Sequence, residues 1–112
     1  MIVNILGSKN SIINEFIAEI RDAKIQKDSM RFRRNVERVG EIMAYEISKT
    51  LRYENVEITT SLGIANVFKL KEQPVIGSIL RAGLPLHQGV LNYFDNAENA
   101  FISAYRKHHK DG

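Results

Sequence analysis

Val75-Ile76-Gly77-Ser78-Ile79-Leu80 is an almost unbroken apolar run, opened by Pro74 and closed by Arg81, and few folds can accept it. A sheet with one wet face alternates apolar and polar side chains. A run this uniform suits a strand covered on both faces, as in parallel α/β sheets. A second run, Ala100-Phe101-Ile102-Ser103-Ala104-Tyr105, reads the same way. Between the two, Pro85 belongs in the first turn of a helix, where its missing N–H is no loss, and Leu86, Val90, Leu91 and Phe94 then line one apolar face. Strand, helix, strand over 74–106 predicts a βαβ crossover with parallel strands.

Upstream the periodicity is helical. Ser11 can cap a helix in which Ile12, Ile13, Phe16, Ile17, Ile20 and Ala23 form one stripe. Asp28 or Ser29 can cap a second, where Phe32, Val36, Val39, Met43, Ile47 and Leu51 step by three or four residues, predicting a long amphipathic helix from about Arg31 to Leu51. The helical region is thus 11–52. Val56-Glu57-Ile58-Thr59-Thr60-Ser61-Leu62, Gly63 and Asn66-Val67-Phe68-Lys69 then read as a β-hairpin over 56–69. No repeat, low-complexity stretch or interdomain linker divides the chain, so 1–112 is expected to belong to one α/β domain.

In open parallel sheets a ligand sits outside the carboxyl ends of the strands. Both apolar runs end in arginine there, Arg81 after Leu80 and Arg106 after Tyr105. Two guanidinium forks on one edge, with Gly83 permitting close backbone approach and a helix N-terminus nearby, would make a clamp for phosphate or pyrophosphate. Alternatively, each arginine is simply the first exposed residue after a buried strand. The net charge of +3 is also concentrated: Arg21, Lys24, Lys27, Arg31, Arg33, Arg34 and Arg38 face only Asp22, Asp28 and Glu37 in that stretch, a local +4. Such a cluster is compatible with an anionic partner, with a solvated helix face or with a subunit interface.

Ile79-Leu80-Arg81-Ala82-Gly83-Leu84, Gly89, and Ser103-Ala104-Tyr105-Arg106 closing the next strand resemble the uracil phosphoribosyltransferase family. So does the order upstream: Phe32-Arg33 opening a long helix, Gly40 within it, Tyr45-Glu46, then the hairpin. The resemblance runs from about Ser11 onward. It implies the N-terminal part of a type I phosphoribosyltransferase fold: two helices, a hairpin and the first βαβ of a parallel sheet left incomplete. It implies transfer of ribose 5-phosphate from phosphoribosyl pyrophosphate (PRPP) to uracil N1, giving UMP and pyrophosphate, with Mg²⁺ carried on PRPP and no metal ligands in this chain. Arg81, Ala82, Gly83 and Arg106 would hold the pyrophosphate, and a non-proline cis peptide is expected at Arg81-Ala82. Arg31, Arg33 and Arg34 would contact a GTP effector or a subunit neighbour, since family members form homodimers or larger homo-oligomers and some bind GTP.

Two departures qualify this expectation. Pro85-Leu86 and Gln88 stand where the family often has Gly-Met and Asp, and Lys107-His108-His109-Lys110-Asp111-Gly112 is unusually basic. More important, neither the acidic pair before a Gly/Thr-rich turn that binds ribose 5-phosphate nor the uracil-selecting segment is present. Two parallel strands also make a poor sheet, and alone they are expected to leave an open edge and an exposed apolar patch. The chain is therefore expected to be the N-terminal half of such an enzyme, inactive alone and without an identifiable catalytic residue. The alternative is a non-catalytic nucleic-acid-binding or regulatory module using Arg21–Arg38. His87 is expected on the surface of its helix. With no Cys, disulfides, thiolate metal sites and thiol catalysis are excluded. The opening Met1-Ile2-Val3-Asn4-Ile5-Leu6 lacks the features of a signal peptide, making the cytoplasm the expected address.

Overall fold

The computed structural model describes residues 3–103. Helices α1 (Ile13–Arg21) and α2 (Ser29–Ser48) lead into strands β1 (Tyr53–Thr60) and β2 (Gly63–Leu70), followed by β3 (Val75–Leu80), α3 (Leu84–Tyr93) and β4 (Glu98–Ser103). Short 3₁₀ turns at Leu6–Ser8 and Ile25–Lys27 add to the expected elements.

Local side-chain chemistry sets the helix ends. The Ser11 hydroxyl accepts from Ile13 N–H at 3.3 Å as α1 begins. After α1, the Asp22 carboxylate accepts from the N–H groups of Lys24 and Ile25 at 2.8 and 3.3 Å, a side-chain turn that competes with further helix. Asp28, rather than Ser29, caps α2 by accepting from Arg31 N–H at 3.1 Å. Its helix starts two residues before the expected Arg31 and stops before Leu51. Between α1 and α2, the fully buried Asn35 donates to Glu19 at 2.6 Å. Arg38 donates to Asn35 at 3.3 Å and lies over the Phe16 ring.

Helices α2 and α3 cross with their backbones in contact. A Cβ on Gly40 would lie 2.6 Å from the Leu86 carbonyl oxygen and 3.2 Å from Gly89 Cα, and a Cβ on Gly89 would overlap Glu37 backbone. Here glycine serves close approach rather than unusual dihedrals. The core follows along the same seam, with Ala44, Ile76, Phe94 and Ala97 buried and Leu51, Leu70, Val90 and Leu91 packed around them.

The hairpin pairs Tyr53 with Leu70 through Thr60 with Gly63, longer at both ends than the expected 56–69. Its two-residue loop Ser61-Leu62 hands over to Gly63 at φ 133°, a dihedral that favours glycine. Among the described residues the hairpin has no extensive packing on another element, and Leu62 at its tip is 98% exposed.

Strands β3 and β4 pair in parallel, from Val75 with Glu98 to Leu80 with Ser103. The second strand thus begins at Glu98 rather than Ala100, while Ala104, Tyr105, Arg106 and the Lys107–Gly112 tail lie outside the described residues. As expected of an incomplete sheet, these apolar runs are covered on one face and bare on the other. Ile76 and Ser78 are buried toward α3, whereas Val75 and Ile79 on the other face are 65% and 58% exposed. All of β4 is exposed. The physical reason is that α1 packs on α2 and α3 covers only one side of the sheet. His87 departs from expectation: it points into that interface and is 8% exposed. The cis peptide is at Leu80-Arg81, one bond earlier than expected.

Candidate functional site

The chain turns from β3 into α3 through Arg81-Ala82-Gly83, and three backbone hydrogen bonds shape the turn. Gly83 N–H donates to Ile79 O at 3.0 Å, Leu84 N–H to Arg81 O at 3.1 Å, and His87 N–H to Gly83 O at 2.9 Å. Pro85 in the first turn of α3 costs no hydrogen bond there. Gly83 has an ordinary φ of −76°, so its requirement is spatial: a Cβ would lie 2.7 Å from Ile79 O and 2.8 Å from the Ser78 hydroxyl. The close approach that glycine permits is thus made by the chain's own β3 beneath it. Arg81 and Ala82 are exposed above. Arg81 has no ion-pair partner, and Ala82 N–H no backbone acceptor, among the described residues.

The turn presents one free guanidinium, one free amide and the positive end of α3 to solvent at the carboxyl edge of the parallel pair. Such groups are chemically of the kind that pair with oxyanions. The second arginine of the expected clamp, Arg106, lies outside the described residues.

The three arginines of α2 are not brought together. Arg31 faces α1 and meets Glu19 at 3.4 Å, while Arg34 meets Glu37 at 3.4 Å. Arg33 projects from another side of the helix. It lines a cavity of about 500 Å³ beside the start of α3, together with Glu37, Pro85, His87, Asn99 and Phe101. A second cavity of about 670 Å³ at the hairpin base is lined by Tyr45, Tyr53, Phe68 and Tyr93 among others. Neither cavity includes Arg81, Ala82 or Gly83. Among the described residues no three His, Asp or Glu side chains converge on a point that could hold a metal ion, and no helix is long and apolar enough to cross a membrane.

Sequence reasoning missed two side chains beneath this turn. Ser78 is 5% exposed and its hydroxyl has no hydrogen-bond partner; a polar residue interrupting the apolar run was the available signal. His87 Nε2 lies 2.8 Å from Asn99 Oδ1, a long-range contact without a local signature.

Comparison with known proteins places this geometry in a family. Residues 7–111 match the family model described as uracil phosphoribosyltransferase. The chain is 55% identical over 103 residues to a uracil phosphoribosyltransferase of Porphyromonas gingivalis, covering 92% of this chain and 48% of that protein. It is 40% identical over 99 residues to one of Methanothermobacter thermautotrophicus, covering 87% of this chain and 45% of that protein. Its fold is similar to the solved structure of the AQ2163 protein from Aquifex aeolicus, with a TM-score of 0.74 and 27% identity over 90% of this chain and 47% of that one. The chain thus spans about half the length of the curated relatives it matches. Two helices, a hairpin and one βαβ unit with an incomplete sheet are a partial phosphoribosyltransferase fold, and the chain belongs to the uracil phosphoribosyltransferase family.

Proposed function

We propose that this chain takes part in the transfer of ribose 5-phosphate from PRPP to uracil, and that its own share is the grip on the leaving pyrophosphate. The observation that carries the reading is the exposed Arg81-Ala82-Gly83 turn at the carboxyl end of β3, with a guanidinium that has no ion-pair partner among the described residues and a helix start on one edge. In the reaction, uracil N1 forms a bond to ribose C1 as the bond from C1 to pyrophosphate oxygen breaks. The N1 proton is lost and pyrophosphate departs with the electron pair. Negative charge therefore grows on the leaving group while the ribose becomes oxocarbenium-like. Arg81, always protonated, and the Ala82 amide stabilise that charge where it develops. Arg106, which closes the second motif of the family resemblance, would share that task.

Mg²⁺ belongs to this proposal as an ion that would arrive with PRPP and offset the negative charge of its pyrophosphate. A GTP effector on Arg31, Arg33 and Arg34 draws less support: two of these arginines already face carboxylates and the third points elsewhere. The same ion pairs weaken the nucleic-acid alternative, which needs a continuous basic face. Homo-oligomerisation is supported by the projecting hairpin, where Leu62, Ile64 and Phe68 are 98%, 72% and 72% exposed, an apolar surface that association would cover. A cytoplasmic address is part of the same reading.

The test is titration of the 112-residue chain with inorganic pyrophosphate and with PRPP, followed by calorimetry and by amide resonances. Arg81→Ala is expected to weaken both by roughly tenfold or more, the usual effect of losing a charge-assisted hydrogen bond. Absence of binding, or equal binding by Arg81→Ala, would overturn the proposal.

A further inference from the structure

We propose that His87 and Asn99 form a positioning pair that holds the Arg81-Ala82-Gly83 turn in register with the carboxyl edge of the sheet. The inference rests on the pyrophosphate reading above and adds to it two residues that touch no substrate.

His87 hangs from the turn itself, because its backbone N–H donates to Gly83 O at 2.9 Å. Its ring crosses to the neighbouring strand, where Nε2 meets Asn99 Oδ1 at 2.8 Å. Asn99 Nδ2 donates to Ala97 O at 3.5 Å, an orientation that leaves Oδ1 to accept and places the imidazole proton on Nε2. The Phe101 ring, 5.0 Å from the imidazole centroid and tilted by 36°, closes one side. This contact is the side-chain hydrogen bond joining α3 to β4 among the described residues. Asn99 is registered opposite Ile76, and Ser103 opposite Leu80, so Ser103 lies level with the start of the turn. One residue thus ties the turn to the strand that runs beside β3.

The burial of His87 argues that the hydrogen bond, not volume, accounts for an imidazole here. With Nε2 committed to Asn99, Nδ1 is buried without a partner. An unmet buried acceptor is unfavourable, and a leucine of similar reach would fill the space without it. What leucine cannot supply is a directional link from the second turn of α3 to β4. Without that link, α3 keeps its packing on β3 and α2, but its first turn is free to shift relative to β4. Arg81 and the Ala82 amide then no longer meet the same oxyanion together.

His87→Leu, Asn99→Ala and His87→Gln separate these roles, since the glutamine amide can place a donor near the Nε2 position. Measured well below the melting temperature, His87→Leu and Asn99→Ala are expected to bind pyrophosphate about five- to tenfold more weakly, from one lost hydrogen bond. They are also expected to move the Ala82 and Gly83 amide resonances. His87→Gln is expected to recover most of the affinity and return those resonances. Unchanged affinity in both His87→Leu and Asn99→Ala would overturn the inference. So would His87→Gln that restores the melting temperature but not binding, because packing alone would then explain the site. Should His87→Leu fail to fold, Asn99→Ala carries the comparison. If the unsubstituted chain binds no pyrophosphate, the functional reading fails on its own. The positioning pair is then judged by the amide resonances, and is refuted if His87→Leu or Asn99→Ala leaves Ala82 and Gly83 unmoved.

Discussion

Replacing Gly89 with alanine adds a single methyl group at the most crowded point of the fold. The new Cβ would stand 2.8 Å from the Glu37 carbonyl carbon and 3.1 Å from Glu37 Cα, with the carbonyl oxygen nearer still. Non-bonded carbons pack at roughly 3.5–4.0 Å, so α2 and α3 must separate by about 1 Å. Both partners are backbone, and no side chain can rotate away. Overpacking costs about 1–3 kcal/mol where side chains can adjust, and here the upper end or more is expected. Alanine recovers about 1 kcal/mol through its better helix propensity. The net expectation is a loss of about 2 kcal/mol, which for a domain of this size lowers the melting temperature by roughly 8–16 °C. Gly77→Ala is the matched control, since nothing lies within 4 Å of a Cβ at that position, and it is expected to be neutral or mildly stabilising. Thermal and urea unfolding followed by far-ultraviolet circular dichroism reads both. A Gly89→Ala chain melting within 2–3 °C of the unsubstituted one, or a Gly77→Ala chain equally damaged, would refute the packing argument.

Gly83→Ala should disturb the turn rather than the core, because its Cβ meets Ile79 O at 2.7 Å and the Ser78 hydroxyl at 2.8 Å. Calorimetry should find pyrophosphate binding reduced by roughly tenfold with a smaller stability change than Gly89→Ala. Asp28→Ala removes the α2 cap and should cost about 1 kcal/mol, read as a shift of roughly 4–8 °C in melting temperature. Asn35→Ala strips a fully buried amide from Glu19 and Arg38. Urea unfolding should report a loss of about 2–3 kcal/mol, and an effect below about 0.5 kcal/mol would show that water replaces the amide.

The parts of this fold legible in the sequence are those whose cause is local. Asp28 three residues before Arg31 is a cap wherever a helix follows. The two-residue loop before Gly63 closes a hairpin because its dihedral suits glycine. The Arg81 turn was legible because its residues are contiguous and lie between a strand and a proline-opened helix. The disposition of Arg31, Arg33 and Arg34 was also within reach: at about 100° per residue, Arg31 and Arg33 point to nearly opposite sides of α2. The bare face was legible as well, because two such apolar strands cannot cover each other, and Val75, Ile79 and Ile102 are exposed.

The sequence by itself determined the order of elements, their caps and turns, the parallel strand–turn–helix unit and the arginine at its tip, because each depends on residues within a few positions of one another. Tertiary structure alone decided that Gly40 and Gly89 let two backbones touch and that His87 reaches Asn99. Those outcomes depend on where separate elements come to rest, and a side chain's partner across a helix–sheet interface is set by packing distance rather than by spacing along the chain.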